Sequence, residues 1–220
     1  MTKQRLTIDI VSDVVCPWCI IGYRQLEKAL EARSDTVDAD LVWHPFELAP
    51  GTPPEGQLMA DYVRERYGAS PEQSRGNRDR IKQVGEGLGI TFNYSENGRI
   101  YNSFKAHQLL LWAAESGKQT DLKLALFQAY FTDQANISDD EILMAAVESV
   151  GLDRAGAEKL LASGRMVDHV RAEEEYWQNQ NITGVPAYIV NGKYMIPGAQ
   201  DVETFGRVID RILEKEAKAA

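Results

Sequence analysis

Cys16-Pro17-Trp18-Cys19 is the segment of this sequence best suited to covalent chemistry. Two thiols separated by two residues on a helical turn can reach each other and close an intramolecular disulfide. The unpaired N–H groups and the dipole at a helix start favour an anion there, which is expected to lower the pKa of Cys16. A thiolate is the nucleophile of disulfide exchange. Pro17 fits the first helical turn, where its missing N–H costs nothing. The roles that follow are attack by Cys16 and resolution of the mixed disulfide by the more buried Cys19. Two inert buried thiols are the bland alternative, and the placement of both in one tetrapeptide at a strand-to-helix junction argues against it. Zinc is a weaker rival. One C-x-x-C supplies half of a tetrahedral set, and His44, His107 and His169 show no ligand spacing around it, so no metal is expected.

The elements around the tetrapeptide must position it. Leu6, Ile8 and Ile10 alternate with Thr7, Asp9 and Val11 and read as a strand. Helical periodicity runs from Ile20 to Ala32, and Asp38–Phe46 reads as a second strand. The crossover rule makes these two strands parallel. From Pro50 to about Val170 the pattern is helical, over roughly 57–67, 71–88, 102–116, 119–133, 139–149 and 153–162. Ser138 with Glu141 suggests a capping box, and 90–101 reads as loop. A helix through 166–178 leads to a strand over 184–190. Asn191-Gly192 is a two-residue hairpin signal, with 193–196 returning, and a last amphipathic helix covers 202–215. The expected fold is α/β: a βαβ half and a ββα half with a large helical insertion. The expected division is 1–50 with 165–220 as one discontinuous domain and 51–164 as the inserted one.

Composition excludes some partners. The chain has 220 residues and two cysteines, and its 24 Lys and Arg against 33 Asp and Glu give a net charge of -9. That balance argues against nucleic acid or an anionic membrane surface as the main partner. Residues 1–11 lack the apolar h-region and cleavage site of a secretory signal. A cytoplasmic location is expected, where a lone cysteine pair serves redox chemistry rather than stapling.

With Cys-Pro-Trp-Cys at the first strand–helix junction and Gly184-Val185-Pro186-Ala187-Tyr188 before an Asn-Gly hairpin, the chain resembles the DsbA family. It looks most like the FrnE-type branch, related to 2-hydroxychromene-2-carboxylate isomerases and kappa-class glutathione transferases. Ser12-Asp13, His44-Pro45-Phe46-Glu47-Leu48, Asn102 to His107 and Asn136 to Asp139 support the branch, and the likeness spans almost the whole chain. The resemblance implies a thioredoxin fold and thiol–disulfide exchange on proteins. It also implies a cis Pro186 beside the dithiol, with the Val185 backbone offering strand-like hydrogen bonds to a substrate peptide. Trp18 replaces the histidine of the strongly oxidising members and is expected to shape the mouth of the site. A couple of about -200 to -270 mV follows.

Other residues carry two readings. Asp13 could relay the proton of Cys19, or be a solvated loop carboxylate or local cap, and the latter is favoured. His107 lies on a helix that the family places over the site, and a satisfied helix histidine is favoured for it. Asn102 could line the cleft but suits a helix N-cap better. The isomerase and transferase relatives generally carry Ser where this chain has Cys16. A glutathione-dependent enzyme acting on a small molecule is therefore the alternative function, with glutathione as co-substrate or redox partner and nothing tightly bound. A non-catalytic peptide-binding module is the second alternative. Both monomer and homodimer fit the sequence.

Overall fold

The computed structural model of the protein describes residues 3–219. Strand β1 (Gln4–Ser12) leads through the cysteine turn into α1 (Pro17–Glu31), and β2 (Val37–Pro45) returns parallel to β1. After the helical region, β5 (Ala187–Val190) pairs antiparallel with β1, and β6 (Tyr194–Pro197) pairs antiparallel with β5. The sheet order is β2-β1-β5-β6. Being central, β1 is covered on both faces at its end, so Ile10, Val11 and Ser12 are all buried.

The Asn191-Gly192 turn forms as its sequence demands. Both residues have positive φ, 53° and 63°, the conformation a two-residue hairpin of this type needs. Asn191 adds a second use: its Oδ1 accepts the Thr7 N–H at 3.0 Å, tying the turn to the far end of β1. The closing helix (Val202–Ala219) packs on α1, and Arg33 holds both Asp210 carboxylate oxygens, at 2.6 and 2.7 Å.

Between β2 and β5 lie β3 (Gln57–Leu58), α2 (Met59–Tyr67), α3 (Pro71–Glu86), β4 (Arg99–Ile100), α4 (Phe104–Ala114), α5 (Gln119–Phe127), α6 (Asp140–Ser149), α7 (Arg154–Ser163) and α8 (Val167–Asn179); the closing helix is α9. Three features differ from the sequence reading. Residues 90–101 are not all loop, because Arg99 and Ile100 pair with Leu58 and Gln57 in a ladder too short to show periodicity. The helix expected over 119–133 ends in a π-helical turn at Gln128–Thr132, where the Asp133 N–H reaches the Gln128 carbonyl at 3.1 Å. The cap of α6 is Asp139, not Ser138. The Asp139 carboxylate accepts the N–H groups of Glu141 and Ile142, while the Ser138 hydroxyl donates to the Asn102 carbonyl at 3.0 Å.

Candidate active site

The end of β1 and the start of α1 fix both thiols. Cys16 is the N-cap of α1, with φ -92° and ψ 113°, and Pro17 occupies its first turn. The Cys19 N–H closes the turn on the Cys16 carbonyl at 3.1 Å, and the Cys16 N–H bonds the Asp13 carbonyl at 3.3 Å. Neither cysteine is in a disulfide. Cys19 is sealed off, whereas Cys16 reaches the wall of a cavity of about 580 Å³ together with Pro17, Trp18 and Val185. The Val185–Pro186 peptide is cis, and the Cys16 thiol points at the Val185 carbonyl oxygen, 3.7 Å away.

The two thiols titrate as a pair. Burial opposes a charge on Cys19, but the hydrogen bond from Cys16, the adjacent Ser12 hydroxyl and the charge of Lys123 bring Cys19 below the ordinary thiol range. Cys16 is pushed well above it, first by its hydrogen bond to Cys19, then by burial and the negative charge beside it. The Cys19 N–H, the helix-start donor, favours a Cys16 thiolate and is outweighed. The expectation that helix position alone would acidify Cys16 is thus reversed in the reduced protein.

Asp13 is not a solvated carboxylate. It is fully buried and accepts the Val15 N–H at 3.4 Å and the Leu48 N–H at 2.7 Å. His107 on α4 brings Nε2 to 3.4 Å from Asp13 and 3.1 Å from the Phe46 carbonyl. Although burial opposes it, hydrogen bonding by His107 and its charge, with the Leu48 N–H and Lys123, hold the Asp13 carboxyl below its usual range. Asp13 is a local cap for Val15 and also ties the cysteine turn to 46–48 and to α4. His107 is the satisfied helix histidine the sequence suggested. Asn102 is not the expected N-cap. Ser103 holds that position in α4 without a side-chain bond. Asn102, one residue earlier, accepts the Phe104 N–H at 2.9 Å in a local turn, while its amide donates to Glu47 and the Pro50 carbonyl. It does not line the cavity.

Lys123 is the residue sequence reasoning missed. It is fully buried, its Nζ has no hydrogen-bond partner, and it lies over the rings of Trp43 and Phe127, 5.3 and 5.2 Å from their centroids. Burial lowers its pKa to about 8 against the pull of Cys19, Asp13 and Cys16. Ser12 Oγ and Tyr188 Oη are also buried without partners. A signal for Lys123 existed: it shares the spacing of Gln119, Leu122, Leu126 and Phe127, the buried stripe of α5.

Among the described residues no group of three or more His, Cys, Asp or Glu could hold a metal ion, and no helix is long and apolar enough to cross a membrane. The profile of the DSBA-like thioredoxin domain matches residues 7–210. The chain belongs to this family. YwbO of Bacillus subtilis strain 168 is 30% identical over 203 residues, covering 92% of this chain and 94% of that one. The crystal structure of a probable DsbA oxidoreductase from Streptomyces coelicolor superposes with a TM-score of 0.86 at 30% identity, over 94% of this chain and 89% of the other. The cytosolic disulfide reductase DsbM of Pseudomonas aeruginosa, solved with GSH, shares the fold with a TM-score of 0.64 at 16% identity, over 96% and 99% of the two chains. The DsbA-like fold puts the Cys16–Cys19 turn and the Val185–Pro186 loop side by side. It fixes an oxidoreductase framework without naming a substrate.

Proposed function

We propose that this DsbA-like protein exchanges disulfides of proteins or peptides through Cys16 and Cys19, in the cytoplasm. The observation that carries the reading is the free thiol pair on the first turn of α1, one member sealed and the other opening on a cavity beside the Val185 carbonyl. Cys16 is the sulfur a substrate can meet. As it attacks, its proton passes to the Cys19 sulfur, the substrate S–S bond breaks, and the leaving thiolate takes up a proton from water. Cys19 then loses its proton to solvent and attacks Cys16 in the mixed disulfide. The second substrate sulfur departs as a thiolate, leaving the substrate reduced by two electrons and the enzyme dithiol oxidised. Lys123 and Ser12 favour the Cys19 anion that this second step requires. Asp13 and His107 position the turn, and the Val185 backbone is the edge on which an extended peptide would align. In the opposite direction the same steps oxidise a substrate dithiol.

The cavity beside Cys16 supports a second reading, a glutathione-dependent reaction on a small molecule, and the DsbM neighbour was solved with GSH. The paired thiols favour the first, and they speak against a purely peptide-binding role. Catalysed reduction of insulin disulfides by dithiothreitol separates the three. Dithiol exchange predicts turnover by the wild type and its loss in both Cys16→Ser and Cys19→Ser. Turnover of a glutathione conjugate that survives Cys19→Ser would replace this reading with the second. Peptide binding that survives loss of both thiols, without turnover, would replace it with the third.

A further inference from the structure

The cavity at Cys16 carries a charge pattern opposite to that of the protein. Arg78, Arg80 and Arg99 are among its lining residues, and no Asp, Glu or Lys is, in a chain whose net charge is -9. Among the described residues none of these three guanidiniums has a carboxylate within ion-pair distance, although most other arginines of the chain do. Arg99 is partly committed, donating to the Glu55 and Gly56 carbonyls at 3.2 and 2.8 Å. Arg80 lies over the Trp18 ring, 5.6 Å from its centroid. Arg78 sits near enough to Tyr94, itself in the field of Cys16, for its charge to bear on the phenol.

The interior is aromatic. The Tyr62 hydroxyl is spent on the Leu48 carbonyl at 3.1 Å and the Tyr130 hydroxyl on the Arg99 carbonyl at 3.0 Å. These tyrosines therefore offer ring surface rather than free hydroxyls. Tyr94 stacks on Phe92 with an interplanar angle of 6°. A volume of about 580 Å³ lies within the range of small-molecule sites, which are mostly apolar with a few placed polar groups. A cationic rim over an aromatic interior selects a ligand with a negative group at one end and a flat apolar body.

We infer that this cavity binds small aromatic organic anions, and that disulfides of this class are substrates of Cys16, an inference that rests on the dithiol reading above. The arginines hold the carboxylate or sulfonate while the ring enters among Tyr62, Tyr94 and Tyr130, which sets the ligand disulfide against Cys16. Cys16 attacks the near sulfur and the far aryl thiolate leaves. Cys19 then displaces the bound half, so that one aryl disulfide gains two electrons and becomes two thiolates. The enzyme dithiol becomes the Cys16–Cys19 disulfide and releases its two protons to solvent.

The test uses two disulfides of similar size, the dianionic bis(carboxynitrophenyl) disulfide and the uncharged dipyridyl disulfide, mixed with reduced protein at pH 8 in stopped flow. The ratio of their rate constants, anionic over neutral, is compared with the ratio for a free cysteine derivative. A wild-type ratio about tenfold above that of the free thiol is expected. It should fall about tenfold in the doubly substituted Arg78→Gln, Arg80→Gln protein, and also in high salt, because the rim is exposed. A ratio equal to that of the free thiol, or one that the substitutions leave within twofold, overturns the inference. Thiolate yield reports separately on the dithiol reading. Two thiolates per protein with no aryl adduct left on it by mass spectrometry mark resolution by Cys19; an aryl adduct retained on the protein marks failure of that reading, whatever the charge selectivity of the first exchange.

Discussion

Replacing Lys123 with methionine removes a buried ammonium that has no hydrogen-bond partner and rests on the rings of Trp43 and Phe127. Holding a lysine whose pKa has fallen from 10.5 to about 8 costs the folded state about 3 kcal/mol at neutral pH. The sign follows from proton linkage. The unfolded chain keeps this lysine protonated up to its ordinary pKa, so the cost is complete below pH 8 and disappears as pH rises towards 10.5. Methionine fills similar space and keeps contacts with both rings, while the lost cation–π attraction returns about 1–2 kcal/mol of the gain. The expected net effect of Lys123→Met at pH 7 is a stabilisation of about 1–2 kcal/mol, or roughly 2–8 °C in Tm for a chain of this size. The same change withdraws a positive charge from Cys19, so the thiolate absorbance of the reduced variant should titrate at higher pH than that of the wild type. Thermal unfolding at pH 7 and 9.5, with an ultraviolet pH titration of the reduced proteins, reads both effects. A variant less stable than the wild type at pH 7, with an unmoved thiolate titration, would refute the reasoning: Lys123 would then be a structural post and not a tolerated charge.

Asp13→Asn should cost about 1–3 kcal/mol at pH 7, because it removes a buried anion that serves two N–H groups and His107. Asp13 stabilises above the ordinary carboxylate pKa and the contribution is lost as pH falls through its lowered folded value, so urea unfolding at pH 7 and pH 3 should show the gap closing in acid. His44 lies between Asp9, at 2.9 Å, and Glu173, at 2.7 Å. Burial works against its charge, but the hydrogen bonds its ring donates to both carboxylates, with their negative charge, raise its pKa. Its contribution is complete below the unfolded pKa and lost as pH rises through the folded one, so His44→Gln should cost more at pH 6 than at pH 9 in the same assay. Gly22→Ala would put a methyl group 2.2 Å from the buried Tyr188 hydroxyl and 3.2 Å from the Ala199 backbone. A loss of about 1–3 kcal/mol is expected in chemical denaturation, with a smaller loss when Tyr188→Phe is added.

The sheet was legible because each signal there is local. Leu6, Ile8 and Ile10 alternate along one strand, Asn191-Gly192 specifies its own turn, and the thiols and Pro17 mark a helix start. The environment of Cys19 was harder to see. Asp13 lies close to the cysteines in sequence, yet its burial depends on Leu48 and His107, which only the tertiary fold brings to it. Lys123 lay on a visible apolar stripe, but a lysine in such a stripe usually extends to solvent, and nothing local says that two aromatic rings close over it. The β3–β4 ladder has two residues a side and left no pattern. The charge of the cavity is likewise distributed, with Arg78 and Arg80 on α3 and Arg99 on β4 converging through packing alone.

The central claim is that Cys16 and Cys19 form one reversible two-electron couple, and equilibration with mixtures of reduced and oxidised glutathione tests it most directly. Trp18 fluorescence and the count of free thiols by mass spectrometry would report the two redox states. The account predicts a single two-electron transition in which both thiols disappear together, with the internal disulfide as product, and no such transition in Cys16→Ser or Cys19→Ser. A wild type that keeps both thiols under oxidising conditions, or accumulates only a glutathione adduct on Cys16, would contradict it.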